Sequence, residues 1–282
     1  MIRLCAFADE SSSDLYGQID ALNRNGISLI ELRSIAGQNV ADFSLEKARE
    51  YQLEFEKNKI SVWSIGSPLG KVDINVDFNE YEKKVVHVLE LAKVFKCKRI
   101  RMFSFFNAYD KKGQVFRYLN RMVELAKDYG IILCHENEKE IFGDTADNIL
   151  SIMENVEGLR YIYDPANFLQ CGEDPERTLS LFHAKSEYYH IKDVIKETDE
   201  LVPAGHGDGN ILKLIKMIEK DAVLTLEPHL AVFDSFKDID NTEMKHKFKF
   251  ENPEQAFDFA VEELKKLLVL AGYRFENGEY IK

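Results

Sequence analysis

Four apolar runs in this chain each end in groups that can bind a hard cation. IILC leads into His135-Glu136-Asn137, LRYIY into Asp164-Pro165-Ala166-Asn167, SEYY into His190-Ile191-Lys192-Asp193, and AVLTL into Glu227-Pro228-His229. Each run has the length and the β-branched and aromatic content of a strand. Glu136, Asp164, His190 and Glu227 follow one another at intervals of 28, 26 and 37 residues. A strand-loop-helix-loop unit consumes roughly that much chain, so one donor would arrive per strand, at the same end of one parallel sheet.

The rest of the chain repeats the alternation. Strands are predicted at 2–8, 27–33, 60–65, 98–103, 131–136, 159–164, 187–192 and 222–227. Helices are predicted at 14–25, 43–58, 79–96, 114–129, 145–154, 174–183 and 211–219, with a last one starting at Pro253. The clearest is 79–96, where Tyr81, Val85, Val88, Leu89, Ala92 and Phe95 recur at helical spacing and form one stripe. Boundary signals agree: Asn25-Gly26 ends one helix and Asn252-Pro253 caps another. Eight strands alternating with eight helices call for a parallel sheet. Eight units favour its closure into an α/β (β/α)8 TIM barrel over an open doubly wound sheet. The 282 residues suit one such domain, 1–282, since these barrels take about 250. Residues 271–282 read as a polar tail. The stretch 231–252 is too long for a simple turn. It reads as a cover over the site or as a subunit contact, which leaves a homo-oligomer open, and its Phe233, Phe236, Phe248 and Phe250 require burial.

Composition narrows the partners. Lys and Arg number 37 against 49 Asp and Glu, a net charge of −12. A nucleic-acid partner calls for a basic face, so this balance argues against one. Cys5, Cys97, Cys134 and Cys171 are far apart and form no CxxC pair, as expected of buried thiols in a reduced, cytoplasmic protein. The N-terminus lacks a charged-then-apolar signal pattern, and no apolar run reaches the ~18 residues of a membrane span.

Loops after the strands build the active site of a barrel. Here polar groups close nearly every strand: Asp9 and Glu10, Glu31 and Arg33, Ser67, Ser104, Glu136, Asp164, His190 and Glu227. Leu29, Glu31 and Arg33 share one face of the second strand, so the two opposite charges need either each other or a functional surface. Three carboxylates brought together repel and raise one another's pKa, a cost that a divalent cation removes. Three carboxylate oxygens and an imidazole suit Mn²⁺ first, then Mg²⁺ or Co²⁺, with coordination positions left for substrate. Zn²⁺ is less indicated, because no cysteine joins the set. Asp193 falls opposite to His190 by strand parity and reads as a capping or supporting residue. His135 and His229 read equally as substrate contacts or as core and loop residues.

The set ENE, DPANF, HIKD, PAGHGDG and LEPH, in this order and spacing, resembles the xylose-isomerase-like barrel superfamily, in its sugar-phosphate isomerase and epimerase branch. The resemblance spans the first strand to the last helix. It implies that Glu136, Asp164, His190 and Glu227 bind the metal, and that Glu136 and Glu227 also serve as catalytic acid and base. Two departures stand out. Many members carry a His three residues after the Asp, where this chain has Asn167. The superfamily's endonucleases need more histidines for their three-metal site, whereas this chain has seven in all and few at strand ends, which, with the net charge, speaks against DNA repair.

The implied chemistry is proton abstraction next to a carbonyl, with the enediolate charge stabilised by the cation. Epimerisation returns the proton to the opposite face and so needs two carboxyls; isomerisation needs one base. Substrate contacts are expected from Arg33, Lys71, Asn167, Lys192 and His206, the last in the Gly-rich loop 203–210. That loop lacks the spacing of a Walker or dinucleotide fingerprint and reads as a mouth loop. The same residues suit a lyase that dehydrates a keto-polyol such as an inosose, and a sugar-binding barrel without activity is the third reading.

Overall fold

The computed structural model describes residues 1–231 and 248–282. Eight parallel strands form the centre: β1 (Ile2–Ala6), β2 (Leu29–Leu32), β3 (Ser61–Ile65), β4 (Arg99–Met102), β5 (Ile132–Glu136), β6 (Arg160–Tyr163), β7 (Tyr188–Ile191) and β8 (Ala222–Leu226). Each pairs with the next in chain order, and β8 returns to β1, with Ile2 opposite Ala222 and Ala6 opposite Leu226. The sheet therefore closes, and the (β/α)8 expectation holds.

The helices are α1 (Leu15–Arg24), α2 (Leu45–Lys57), α3 (Phe78–Val94), α4 (Lys112–Asp128), α5 (Ala146–Asn155), α6 (Pro165–Gln170), α7 (Pro175–Phe182), α8 (Ile211–Met217) and α9 (Pro253–Leu270). Most start where a side-chain oxygen accepts an otherwise unpaired N–H: Asp14 for α1, Ser44 for α2, Thr145 for α5 and Asn252 for α9. The predicted stripe of α3 is buried, Val85, Val88, Leu89 and Ala92 all at 0% exposure. Helix faces and the outer side of the barrel together make the main core.

Alternation along the strands sends every second side chain into the barrel. Cys5, Leu29, Cys134, Ile162, Tyr188 and Val223 form an apolar floor there. One step further along the same strands come Glu31, Glu136, Asp164, His190 and Thr225. Cys5, Cys97 and Cys134 are buried, and all four cysteines are free.

Three features depart from the simple alternation. Asp164 caps a short extra helix, α6, by accepting the Asn167 N–H. Two small hairpins, Ser34–Ile35 with Gln38–Asn39 and Asp193–Ile195 with Glu200–Val202, follow β2 and β7. The tail is not merely polar: β9 (Arg274–Glu276) and β10 (Glu279–Ile281) form a hairpin that joins β1, and Tyr273 and Tyr280 are buried. Asn277 and Gly278 make its two-residue turn at φ 52° and 87°, the conformation that Asn-Gly favours between strands.

Of the segment 231–252, Phe233 and Phe236 lie outside the described residues. Phe248 and Phe250 pack on Phe259 of α9. Among the described residues, no helix is long and apolar enough to cross a membrane.

Candidate active site and metal centre

β5, β6, β7 and β8 each deliver one donor above the apolar floor. Glu136, Asp164, His190 and Glu227 are at most 2% exposed. One ligand atom from each lies within 4.8 Å of the other three. His190 Nδ1 stands 2.8 Å from Glu136 Oε1 and 3.2 Å from Glu227 Oε2. Asp164 Oδ2 and Glu227 Oε2 are buried and accept no aligned hydrogen bond from the described residues, although Lys192 Nζ lies 3.3 and 3.9 Å away. Carboxylate oxygens crowded beside an imidazole nitrogen are costly unless positive charge joins them, and Lys192 supplies only a single charge there. The donor set therefore fits a divalent cation: three oxygens and one nitrogen, with no thiolate.

The electrostatics express the same crowding. Burial pushes Asp164 up to about 7, against the pull of Lys192. Burial also acts to raise Glu227, but Lys192, His190 and His229 hold it well below the usual carboxylate range. His190 is held well above an ordinary imidazole: burial works against its charge, and Glu136 and Glu31 outweigh burial. Glu10 is pushed up to about 8 by burial, with Arg33 opposing.

Two guanidinium groups brace the carboxylates. Arg33 is bidentate to Asp9, at 2.9 Å for both bonds, and reaches Glu10 Oε1 at 3.2 Å and Glu227 Oε1 at 3.0 Å. Arg101 Nη1 stands 3.2 Å from Glu136 Oε2 and 3.5 Å from Glu227 Oε1, and Nη2 donates to the Gly66 carbonyl. Both lie over the ring of Phe7, at 4.4 and 4.9 Å from its centroid, and the same ring meets His190 edge-on at 5.2 Å. Stacking on an aromatic face lets a guanidinium keep its fork in a dry site. Glu10, Glu227 and His229 make a second group of converging donors. Arg33 already bonds two of its three members, so a guanidinium fills the cation's role there.

The predicted substrate contacts separate. Arg33 and Lys192 join the cluster, and Asn167 donates to the Asn137 carbonyl at 2.9 Å with Glu136 Oε1 3.5 Å away. Lys71 stands at the rim, paired to Glu138 at 2.9 Å and lying over Phe103. His206 does not join them. Its Nε2 pairs with Glu263 of α9 at 2.8 Å, and its ring packs on Phe248. The loop turns it outward because Asp193 draws the N–H groups of Gly205, Gly207 and Gly209 to its carboxylate. Asp193 is thus the loop's anchor. His229 touches the cluster through Glu10 and Glu227, at 3.4 and 3.5 Å. His135 faces the helix layer, beside Ile149 and Ile152 of α5.

Glu31 does not take Arg33. It accepts from the Tyr188 hydroxyl at 2.8 Å and meets His190 Nε2 at 3.1 Å. Arg101 was absent from the expected contacts, although its signal was present: Arg99, Arg101 and Phe103 share a face of β4, as Glu31 and Arg33 do on β2.

Comparison with known proteins agrees with the barrel fold. The family described as Xylose isomerase-like TIM barrel matches residues 19–235. No curated protein matches the chain in sequence. Among solved structures, the probable 3-DHS dehydratase AsbF, involved in petrobactin synthesis, from Bacillus anthracis is 16% identical with a TM-score of 0.69, over 94% of this chain and 99% of that one. The IOLI protein with a binding zinc atom is 18% identical with a TM-score of 0.67, over 95% and 97%. L-ribulose 3-epimerase is 17% identical with a TM-score of 0.69, over 96% and 97%. At these identities the likeness concerns the fold.

Proposed function

The chain belongs to the xylose isomerase-like TIM-barrel family, and from that membership and the donor set we propose that it is a divalent-metal-dependent isomerase or epimerase of a keto sugar or a related derivative. One observation carries the reading: four buried donors, one from each of β5 to β8, converge, and Asp164 Oδ2 and Glu227 Oε2 among them accept no aligned hydrogen bond from the described residues. An epimerase and a zinc-binding protein among the similar structures support it.

Glu136, Asp164, His190 and Glu227 would hold the cation. When bound, it supplies positive charge beside the substrate's carbonyl and neighbouring hydroxyl, which stabilises enediolate character. Glu136 and Glu227 come from strands on different sides of the barrel mouth, so one can lift the proton while the other returns one to the opposite face. Arg101 spans both carboxylates and sets their spacing. Lys192, beside Asp164 and Glu227, is placed to donate to a substrate oxygen, as are Arg33 and Asn167 at the edge of the cluster. Mn²⁺ suits this oxygen-rich set, and Mg²⁺, Co²⁺ and Zn²⁺ fit the same donors. The protein is read as a cytoplasmic enzyme of carbohydrate metabolism, one domain over 1–282.

A second reading is a dehydratase on the same site. Abstraction by the same base, followed by loss of a β-hydroxyl, needs no new residue, and a probable dehydratase stands among the similar structures. The test has two stages. Elemental analysis of protein purified without added metal should find about one equivalent of divalent cation, lowered in Glu136→Gln and Asp164→Asn. Keto sugars and keto-polyols are then incubated in D₂O with the loaded protein. Deuterium gained beside the carbonyl without loss of water marks the isomerase or epimerase; a product lighter by one water marks the dehydratase. Each Glu→Gln change should cost about 10²–10⁴ in rate. Absence of metal in the purified protein, with none taken up on titration, ends both readings.

A further inference from the structure

A hydrogen-bonded line runs beneath the cluster from β3 to β7. Ser64 Oγ and the Tyr188 hydroxyl lie 3.0 Å apart, Tyr188 donates to Glu31 Oε1 at 2.8 Å, and Glu31 Oε2 stands 3.1 Å from His190 Nε2. All four residues are 0% exposed. Both oxygens of Glu31 are therefore engaged, one by a hydroxyl and one by the imidazole.

The chemistry of this contact selects a tautomer. A carboxylate offers only lone pairs, so Nε2 carries the proton. In a neutral imidazole, Nδ1 is then the lone-pair nitrogen. It faces Glu136 Oε1 at 2.8 Å and Glu227 Oε2 at 3.2 Å, which are lone-pair atoms as well. Acceptors at such distances repel unless a proton or a cation stands among them. Packing leaves the ring few alternatives, because Phe7 and Tyr188 meet it edge-on at 5.2 and 5.6 Å.

We propose that Glu31 is a positioning residue of the metal centre: it holds the Nε2 proton of His190, turns Nδ1 into the ligand nitrogen, and is itself held in place by Tyr188 and Ser64. This rests on the metal-centre reading above. A carboxylate on the far nitrogen of a ligating histidine fixes the ring and raises its basicity, and losing such a partner costs 10–100-fold in metal affinity. Glu31→Gln keeps the volume and leaves a carbonyl to accept from Nε2, so it removes the charge alone. Glu31→Leu removes the acceptor too and lets Nδ1 take the proton and donate to Glu136.

The test titrates Zn²⁺ into wild type, Glu31→Gln, Glu31→Leu and Tyr188→Phe against a chromophoric chelator. It also records ¹⁵N spectra of the His190 ring in the Zn²⁺-loaded wild type. The Kd should rise about tenfold in Glu31→Gln and Tyr188→Phe and about 100-fold in Glu31→Leu, with wild-type His190 bound through Nδ1 and protonated at Nε2. If the metal-free Glu31→Leu protein loses its near-UV circular dichroism, the other two variants carry the result. Wild-type binding with every folded variant within twofold overturns the role of Glu31 alone, as does ligation through Nε2. A wild type that takes up neither Zn²⁺ nor Mn²⁺ overturns the metal centre and this proposal together.

Discussion

Arg33 Nη1 lies 3.0 Å from Glu227 Oε1, a bond between residues 194 positions apart in the chain. The same guanidinium holds Asp9 and Glu10 from the end of β1. Three carboxylates of the barrel mouth thus share one buried guanidinium, and Glu227 is the member they share with the Glu136, Asp164 and His190 donor group.

Replacing Arg33 by Met should leave those carboxylates buried and uncompensated. Removing one partner of a buried ion pair costs about 3–5 kcal/mol. Urea denaturation of the chelated protein reads this directly. A loss under about 1 kcal/mol in Arg33→Met would mean that water, rather than Arg33, carries the charges of Asp9 and Glu10.

Metal should stabilise the fold by mass action. At a free concentration of 100 times Kd the gain is about 2.7 kcal/mol, or roughly 5 °C in melting temperature for a chain of this size. Adding Mn²⁺ or Zn²⁺ to protein treated with a chelator and then desalted tests it by calorimetry. Asp164→Asn should lose the response, and its metal-free form should be no less stable than wild type, because one charge leaves a crowded cluster.

The loop at 203–210 should depend on Asp193. Its carboxylate accepts the N–H groups of Gly205, Gly207 and Gly209, and a Cβ on Gly207 would run into that carboxylate and the Val194 carbonyl. Asp193→Ala should raise amide exchange across 203–210 by tenfold or more, as the loop's anchoring acceptor is lost. Gly207→Ala should cost about 1–3 kcal/mol by overpacking. Hydrogen-exchange mass spectrometry and denaturation check the pair; unchanged exchange in Asp193→Ala would show that the loop is held by other contacts.

Acid should weaken the fold partly through His135. Burial lowers its pKa to about 3, and neither ring nitrogen has a hydrogen-bond partner among the described residues. An unfolded histidine titrates near 6.5. Between those values the unfolded chain binds the extra proton, so this contribution to stability is complete above about pH 6.5 and is lost as pH falls toward 3. The slope is at most about 1.4 kcal/mol per pH unit. His135→Leu should therefore lose about 2–3 kcal/mol less than wild type between pH 7 and 4.5, measured by urea denaturation with metal chelated. Equal losses in the two proteins would mean that His135 is hydrated in the folded state.

Much of the fold was legible because the barrel writes itself locally. Strand-length apolar runs, helical stripes and caps need only neighbours a few residues apart, and a donor at the end of a strand stays at that end once the sheet is parallel. Strand parity also placed Glu31 and Arg33 on one face and Asp193 opposite to His190. The hairpin at Asn277-Gly278 is equally local, since the Asn-Gly pair alone marks its turn within an otherwise polar tail. What parity could not supply was partners. Arg33 bonds Asp9 and Glu10 beyond neighbouring β1, and Glu227 across the closure, instead of Glu31 on its own strand, and Glu31 reaches across the barrel to Tyr188 and His190. Arg101 joins Glu136 on the adjacent strand and Glu227 from across the barrel mouth, and His206 turns away because Asp193 gathers its loop. The linear chain by itself determined the alternation and the four donors at the strand ends. Which charges meet was decided only by the closed barrel, because closure brings residues 150 to 200 positions apart within hydrogen-bond range in a dry interior, where each buried charge must find a partner.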